Sequence, residues 1–267
     1  MFEKPALQRA GLSSATSLAL LSAISLDTET TGLAVARARV IEIGACRLND
    51  GDIVEGDDYA QLVDPQEPIP ARSTAAHGIK DSDVAGQPHF RAAARRFAKW
   101  AGGATVIGYS IGFDLAILER ECRRANLEWV AQRSLDVRHL VSALGPSLPD
   151  NALDTVAAWL GVEIAGRHRA LGDAVATARV FRALVPRLAE RGIRTLAEAE
   201  AAARTARSAF PARSRRAGTK PCAPANWRGP RSANWPASTA IPTATGCATS
   251  CRRRRSPSAP RRRWPRC

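Results

Sequence analysis

Two apolar segments joined through hairpin chemistry set the framework of this chain. Residues 23–28 (Ala-Ile-Ser-Leu-Asp-Thr) form one short apolar run, and residues 39–48, rich in Val and Ile, form a second. Both read as strands. Asn49-Asp50-Gly51 follows directly, and a glycine there tolerates the positive φ that a tight hairpin requires. The pattern predicts a third strand running to about Val63. Asp64–Pro70 holds three prolines and reads as loop. The preceding stretch, Leu18–Ile24, is apolar and reads as strand leading into loop. Glu3, Asp27 and Glu29 argue against a secretory signal there.

The pattern then becomes helical. Phe90, Ala93, Ala94, Phe97 and Ala101 keep a spacing of three to four and predict a helix over 90–101, stopped by Gly102-Gly103. A short buried strand is expected at 104–108. A helix follows at about 113–125, with Leu115, Leu118 and Cys122 on one face. Asp150/Asn151 is positioned to cap a helix carrying Leu153, Val156, Ala157 and Leu160. Another helix is expected from about 170 to 185. Thr195 with Glu198 makes a capping box for a last Ala-rich helix. Antiparallel strands followed by strand–helix alternation predict an α/β domain with a mixed sheet.

Composition separates this body from a tail. Residues 205–267 hold fifteen of the 39 Lys+Arg and none of the 25 Asp+Glu. The body therefore carries 24 basic and 25 acidic side chains and is close to neutral. Phe210 and Ile241 are the only Ile, Leu, Val, Phe or Met residues after 204. Such a segment buries too little apolar surface to offset chain entropy, so 208–267 reads as a disordered basic tail. Three readings of it stand open: an electrostatic arm for a polyanion, a solvated extension, or a frame-shifted, non-native C-terminus. Cys247 and Cys251 do not make a zinc site, because the tail has no His and its other cysteines are distant. Cys46 and Cys122 alone lie in the body, which fits a reducing cytoplasm. No stretch of 18 apolar residues occurs, so no membrane-spanning helix and no membrane partner is expected.

Three short motifs carry the chemistry. In Asp27-Thr28-Glu29, residues i and i+2 of a strand share one face, so two carboxylates project together. Such a pair suits a hard cation such as Mg²⁺ or Mn²⁺. Asp114, in Gly112-Phe113-Asp114, opens a helix where the dipole favours negative charge. His168 precedes Asp173 by five residues on a loop feeding a helix, and an imidazole can accept a proton at neutral pH. Each element alone has an ordinary structural reading. Their combination, in this order, is more specific.

This set of residues resembles the DnaQ-like, or DEDDh, family of 3′–5′ exonucleases, whose best-known member is the epsilon proofreading subunit of DNA polymerase III. The resemblance covers about residues 22–190 and rests on Asp27–Leu33, Asp114 and His168–Ala174. Ala76-His77-Gly78-Ile79, then Asp81 and Pro88-His89-Phe90, add to it. One departure is Tyr109-Ser110-Ile111-Gly112, where many relatives have a His-Asn pair. The resemblance implies a ribonuclease H-like fold with a five-stranded mixed sheet. Its extent sets a nuclease domain over 22–190, which leaves an N-terminal extension over 1–21 and the Ala-rich C-terminal helix over 191–207 outside it. It further implies that Asp27, Glu29, Asp114 and Asp173 bind two divalent cations and that His168 is the general base. Thr30, Leu33 and His77 would contact the terminal nucleotide. The implied reaction releases nucleoside 5′-monophosphates from the 3′ end of DNA, in proofreading or repair, with association to a DNA polymerase as a further implication. Two alternatives remain open at this stage: an exoribonuclease of the oligoribonuclease or RNase T type, and a non-catalytic nucleic-acid-binding protein acting through its tail.

Overall fold

A computed structural model describes residues 13–209. The chain divides into units at Met1–Ser214 and Arg215–Cys267, and the fold below is that of the first. The tail, its Cys247–Cys251 pair and most of the 1–21 extension lie outside the described residues.

Five strands form one mixed sheet in the order β3-β2-β1-β4-β5. They are β1 (Ala23–Thr30), β2 (Val40–Asn49), β3 (Asp52–Leu62), β4 (Val106–Gly108) and β5 (Ser134–Asp136). β1, β2 and β3 pair antiparallel, whereas β4 runs parallel to both β1 and β5. The β2–β3 turn behaves as its residues dictate: Asp50 and Gly51 have φ of 49° and 81°, the paired left-handed conformation of a tight hairpin.

Eight helices complete the described chain: α1 (Ala71–His77), α2 (Asp81–Val84), α3 (Phe90–Ala101), α4 (Gly112–Arg124), α5 (Val137–Leu144), α6 (Leu153–Leu160), α7 (Ala170–Glu190) and α8 (Leu196–Ala209). The pleat of β1 divides the core. Ile24 and Leu26 face α3 and α4, where Phe90, Ala93, Ile117 and Leu118 cover them. Ala23 and Ser25 face α7, and Ser25 Oγ donates to the Ala174 carbonyl at 2.7 Å. Beyond α7, residues of α5, α6 and α8 close the second core, with Phe181, Leu140, Val156 and Leu196 fully buried.

Most expected elements form, and the differences have local causes. Leu18–Leu20 is a 3-10 turn rather than strand: Leu18 and Leu21, three apart, are buried while Leu20 is 60% exposed. α7 runs past its expected end near 185 to Glu190, with Pro186 inside it. Pro186 and Arg182 are both exposed, so the carbonyl freed by the missing N–H can be solvated. Asp150 does not cap α6 directly: Ala152 is the N-cap, and Asp150 Oδ1 accepts from its N–H at 2.9 Å. The capping box of α8 forms, with Glu198 Oε2 accepting from Arg194 N and Thr195 N. The short helices α1, α2 and α5 gave no periodic signal. α5 is started by Asp136, whose side chain accepts from Arg138 N and His139 N. Cys46 and Cys122 are free and buried.

Candidate active site

The site lies where β1 ends and where α4 and α7 begin. Asp27 and Glu29 project toward α7 from the last turns of the β1 pleat, and a bulge between Glu29 and Thr30 ends regular pairing with β2. Asp27 pairs with Gly44 and Glu29 with Glu42. The glycine matters for what approaches. A Cβ built on Gly44 would meet Leu171 N at 2.0 Å and the Ala170 carbonyl carbon at 2.1 Å. With no side chain there, the first turn of α7 rests on the strand and delivers Asp173 to the two β1 acids. Carboxylate oxygens of Asp27, Glu29 and Asp173 lie within 4.8 Å of one another.

Asp114 joins from the opposite side. It is 4% exposed in the first turn of α4, and its Oδ1 accepts from Thr28 N at 3.0 Å and Thr28 Oγ1 at 2.7 Å. Thr28 points to the α4 face, so Asp114 is fixed through the residue between Asp27 and Glu29. Both Asp114 and Asp173 sit at helix N-termini, where the helix dipole partly offsets their charge.

The electrostatics follow from crowding four acids in a dry place. Burial raises Asp27 well above the ordinary carboxylate range, and the charges of Asp114, Asp173 and Glu29 raise it further. Burial, then Asp173, Glu42 and Asp114, push Glu29 up to about 7. Burial pushes Asp114 to about 7 against the downward pull of its Thr28 hydrogen bonds. A carboxyl whose folded pKa exceeds its unfolded value binds its proton more tightly when folded. Its contribution to stability is complete below the unfolded value, about 4, and is lost as pH rises through about 7. Metal-free protein should therefore melt at a lower temperature at pH 8 than at pH 5. Saturating Mn²⁺ should reverse the trend, because the ligands must be deprotonated to bind it. Thermal melts in EDTA across that range check this, and a melting temperature rising with pH in EDTA would contradict it.

Other anticipated residues are placed as follows. His168 is exposed, on the loop before α7, with φ of 63°. Thr30 is buried and donates from Oγ1 to the Gly32 carbonyl at 2.7 Å. Leu33 is 71% exposed on the loop after β1. His77 is buried at the end of α1. Its Nδ1 accepts from Ile79 N at 3.0 Å, its Nε2 is buried without a hydrogen-bond partner, and burial lowers its pKa. The Tyr109 hydroxyl donates to the Asn151 carbonyl at 2.8 Å, so this residue ties β4 to the approach of α6.

Two residues around the acidic cluster escaped the sequence reading. Glu42 is 3% exposed, accepts a forked pair from Arg169, and accepts from Ala170 N at 3.0 Å, which anchors the start of α7. Its signal was available: one acid in the apolar run Val40-Ile41-Glu42-Ile43. Arg167 is the second case. It reaches Asp173 with Nη1 and Asp154 with Nε at 2.7 Å. No spacing rule marks it.

Geometry and sheet order together define a class: a ribonuclease H-like α/β domain with an acidic, cation-binding centre at the end of its central strand. The exonuclease family model RNase_T matches residues 24–181. The chain belongs to this exonuclease family, of the DnaQ-like type. Among curated proteins it is similar to a DNA polymerase III subunit epsilon-like protein of Rhodobacter capsulatus, at 38% identity over 183 residues. That match covers 67% of this chain and 26% of the relative. It is also similar to a PolC-type DNA polymerase III of Caldanaerobacter subterraneus subsp. tengcongensis, at 33% identity, covering 66% of this chain and 12% of that protein. The chain thus corresponds to a minor part of the length of these relatives. Among solved structures, Exonuclease X in complex with 5′ overhanging duplex DNA shares the fold, with a TM-score of 0.53 and 22% identity over 67% of this chain and 98% of that one. E. coli Exonuclease I in complex with a dT13 oligonucleotide does so with a TM-score of 0.57 and 18% identity, over 64% and 42%. Among the described residues, no helix is long and apolar enough to cross a membrane.

Proposed function

We propose that residues 22–190 form a divalent-cation-dependent 3′–5′ exonuclease that releases nucleoside 5′-monophosphates from DNA. The carrying observation is the convergence of Asp27, Glu29 and Asp173 within 4.8 Å, with buried Asp114 behind them. The donor set fits Mg²⁺ or Mn²⁺: every ligand is a carboxylate oxygen, and a cation, the Arg167 guanidinium, already stands against Asp173. Asp27, Glu29, Asp114 and Asp173 would hold two such ions. Bound there, the ions would supply charge neutralisation at the phosphodiester and a lowered pKa for the attacking water.

The remaining work falls to side chains. His168, on the loop before α7, would take the proton of the attacking water as general base. Its backbone is left-handed, two residues after Gly166 with φ of 69°, on the loop that leads into the first turn of α7. Leu33, exposed on the loop after β1, would wedge against the terminal base, Thr30 shapes the turn beneath it, and His77 would contact the same nucleotide. The DNA polymerase III names of two relatives support DNA over RNA, and a polymerase-linked proofreading or repair setting.

The test is a gel assay with 5′-labelled DNA and RNA of matched sequence in Mg²⁺ or Mn²⁺. The expected result is shortening from the 3′ end, faster on DNA and abolished by EDTA. His168→Gln should lower kcat by about 10²–10⁴-fold with little change in KM. A faster rate on RNA would make the enzyme an exoribonuclease. An unchanged kcat in His168→Gln would remove the imidazole from the reaction.

A further inference from the structure

Arg167 is the one guanidinium inside the acidic centre among the described residues, and three features place it there. First, it forks onto Asp154, with Nε to Oδ1 at 2.7 Å and Nη2 to Oδ2 at 3.2 Å. Second, its Nη1 pairs with Asp173 Oδ1, so one side chain links a carboxylate of the cluster to one outside it. Third, the backbone is clamped at this point. The Gly166 carbonyl oxygen packs against Gly172 so closely that a Cβ there would meet it at 1.9 Å. Residues 166 and 172 being locked together, the next residue on each side, Arg167 and Asp173, must be neighbours. The side chain is 23% exposed, at the mouth of the centre. Its charge also pulls against the raised pKa of both Asp27 and Glu29.

Four carboxylates facing one another repel unless positive charge stands among them. A guanidinium at Asp173 supplies part of it. That same position conflicts with cation loading. An oxygen of Asp173 that binds Arg167 is screened from a divalent ion, and two positive groups at contact distance oppose each other. Asp154, in the first turn of α6 and not in the cluster, holds the other end of Arg167 and so aims Nη1 at Asp173.

We propose that Arg167 is a built-in counter-cation that holds the carboxylate centre together when it is metal-free and competes with the divalent ion for Asp173. Asp154 is its positioning residue. The centre then fills only above a threshold of free metal, and loading displaces the guanidinium from Asp173. This inference rests on the divalent-cation reading above.

Calorimetric titration of the full chain with Mn²⁺ separates the two. Asp27→Asn should lose Mn²⁺ binding; retention of wild-type affinity would overturn the cation reading and this proposal with it. With that control met, Arg167→Gln should tighten the Mn²⁺ Kd about tenfold and lower the melting temperature in EDTA. Asp154→Asn should tighten Kd in the same direction by releasing the other end of Arg167. The double variant should bind no more tightly than Arg167→Gln, because both changes remove one competitor. An unchanged or weakened Kd in Arg167→Gln would overturn the proposal. Should that variant fail to fold, Asp154→Asn carries the test alone: tighter binding supports the competition and unchanged or weaker binding refutes it.

Discussion

Asp27→Asn should abolish cleavage and yet raise the melting temperature of the metal-free protein. The first effect follows from position. Asp27 is the carboxylate that feels Asp114, Asp173 and Glu29 together, so it stands at the centre of the cluster. Losing it removes a cation ligand, and the rate should fall by at least about 10³-fold. The second effect follows from burial. The charged form of Asp27 is disfavoured by desolvation first and by its three acidic neighbours next. Asn keeps the shape and removes the charge. Relief of about 1 kcal/mol would raise the melting temperature by roughly 2–4 °C in a domain of this size. Adding Mn²⁺ should invert the order, since only the wild type gains a bound ion. Melts in EDTA and in Mn²⁺, beside the gel assay, check both halves. Cleavage by the variant at a rate comparable to wild type would remove Asp27 from the reaction.

Gly44→Ala should destabilise the fold more than any conservative change in the acidic cluster. The new methyl would fall 2.0 Å from Leu171 N and 2.6 Å from Leu171 Cα, and neither is the end of a flexible side chain. α7 must shift off the sheet. That helix carries Ala174, Val180, Phe181 and Leu184, all fully buried, so the shift disturbs the larger core as well. A cost of about 3 kcal/mol or more is expected. Activity should fall by at least about 10²-fold in whatever protein folds, because Asp173 moves with the helix. Gly112→Ala is the control. Nothing lies within 4 Å of its added methyl and its φ is not left-handed, so stability should stay within about 1 kcal/mol. Urea midpoints and single-turnover rates for the two variants give the comparison. Equal midpoints would mean that the helix–strand contact is not what sets the position of α7.

The sequence was informative where neighbours along the chain settle the matter. The apolar runs at 23–28 and 39–48, the Asn49-Asp50-Gly51 turn and the helical spacing of 90–101 all act within a few residues, and each forms where expected. The same holds for Asp27 and Glu29, whose common face is a property of any strand. The misses have the opposite character. α5 is eight residues long and depends on a cap from the end of β5, so periodicity had too little length to report it. The helix expected over about 170–185 continues through Pro186, and the solvent exposure of Arg182 shows how the freed carbonyl is met.

By itself, then, the sequence determined the strand and turn framework, the mixed α/β class and the identity of the acids. The tertiary structure alone decided which of them meet and what meets them. Thr28 is 86 residues from the Asp114 carboxylate it holds, and Arg169 is 127 residues from Glu42. Gly44 appears in the sequence as a gap in an apolar strand, and packing makes it the seat of α7. Arg167 is six residues from Asp173 with no spacing rule to join them, and the fold pairs its guanidinium with that carboxylate. The physical reason is range. Backbone periodicity and turn chemistry are written in separations of a few residues, whereas charge compensation and close packing depend on distances that exist only once the sheet and its helices have assembled.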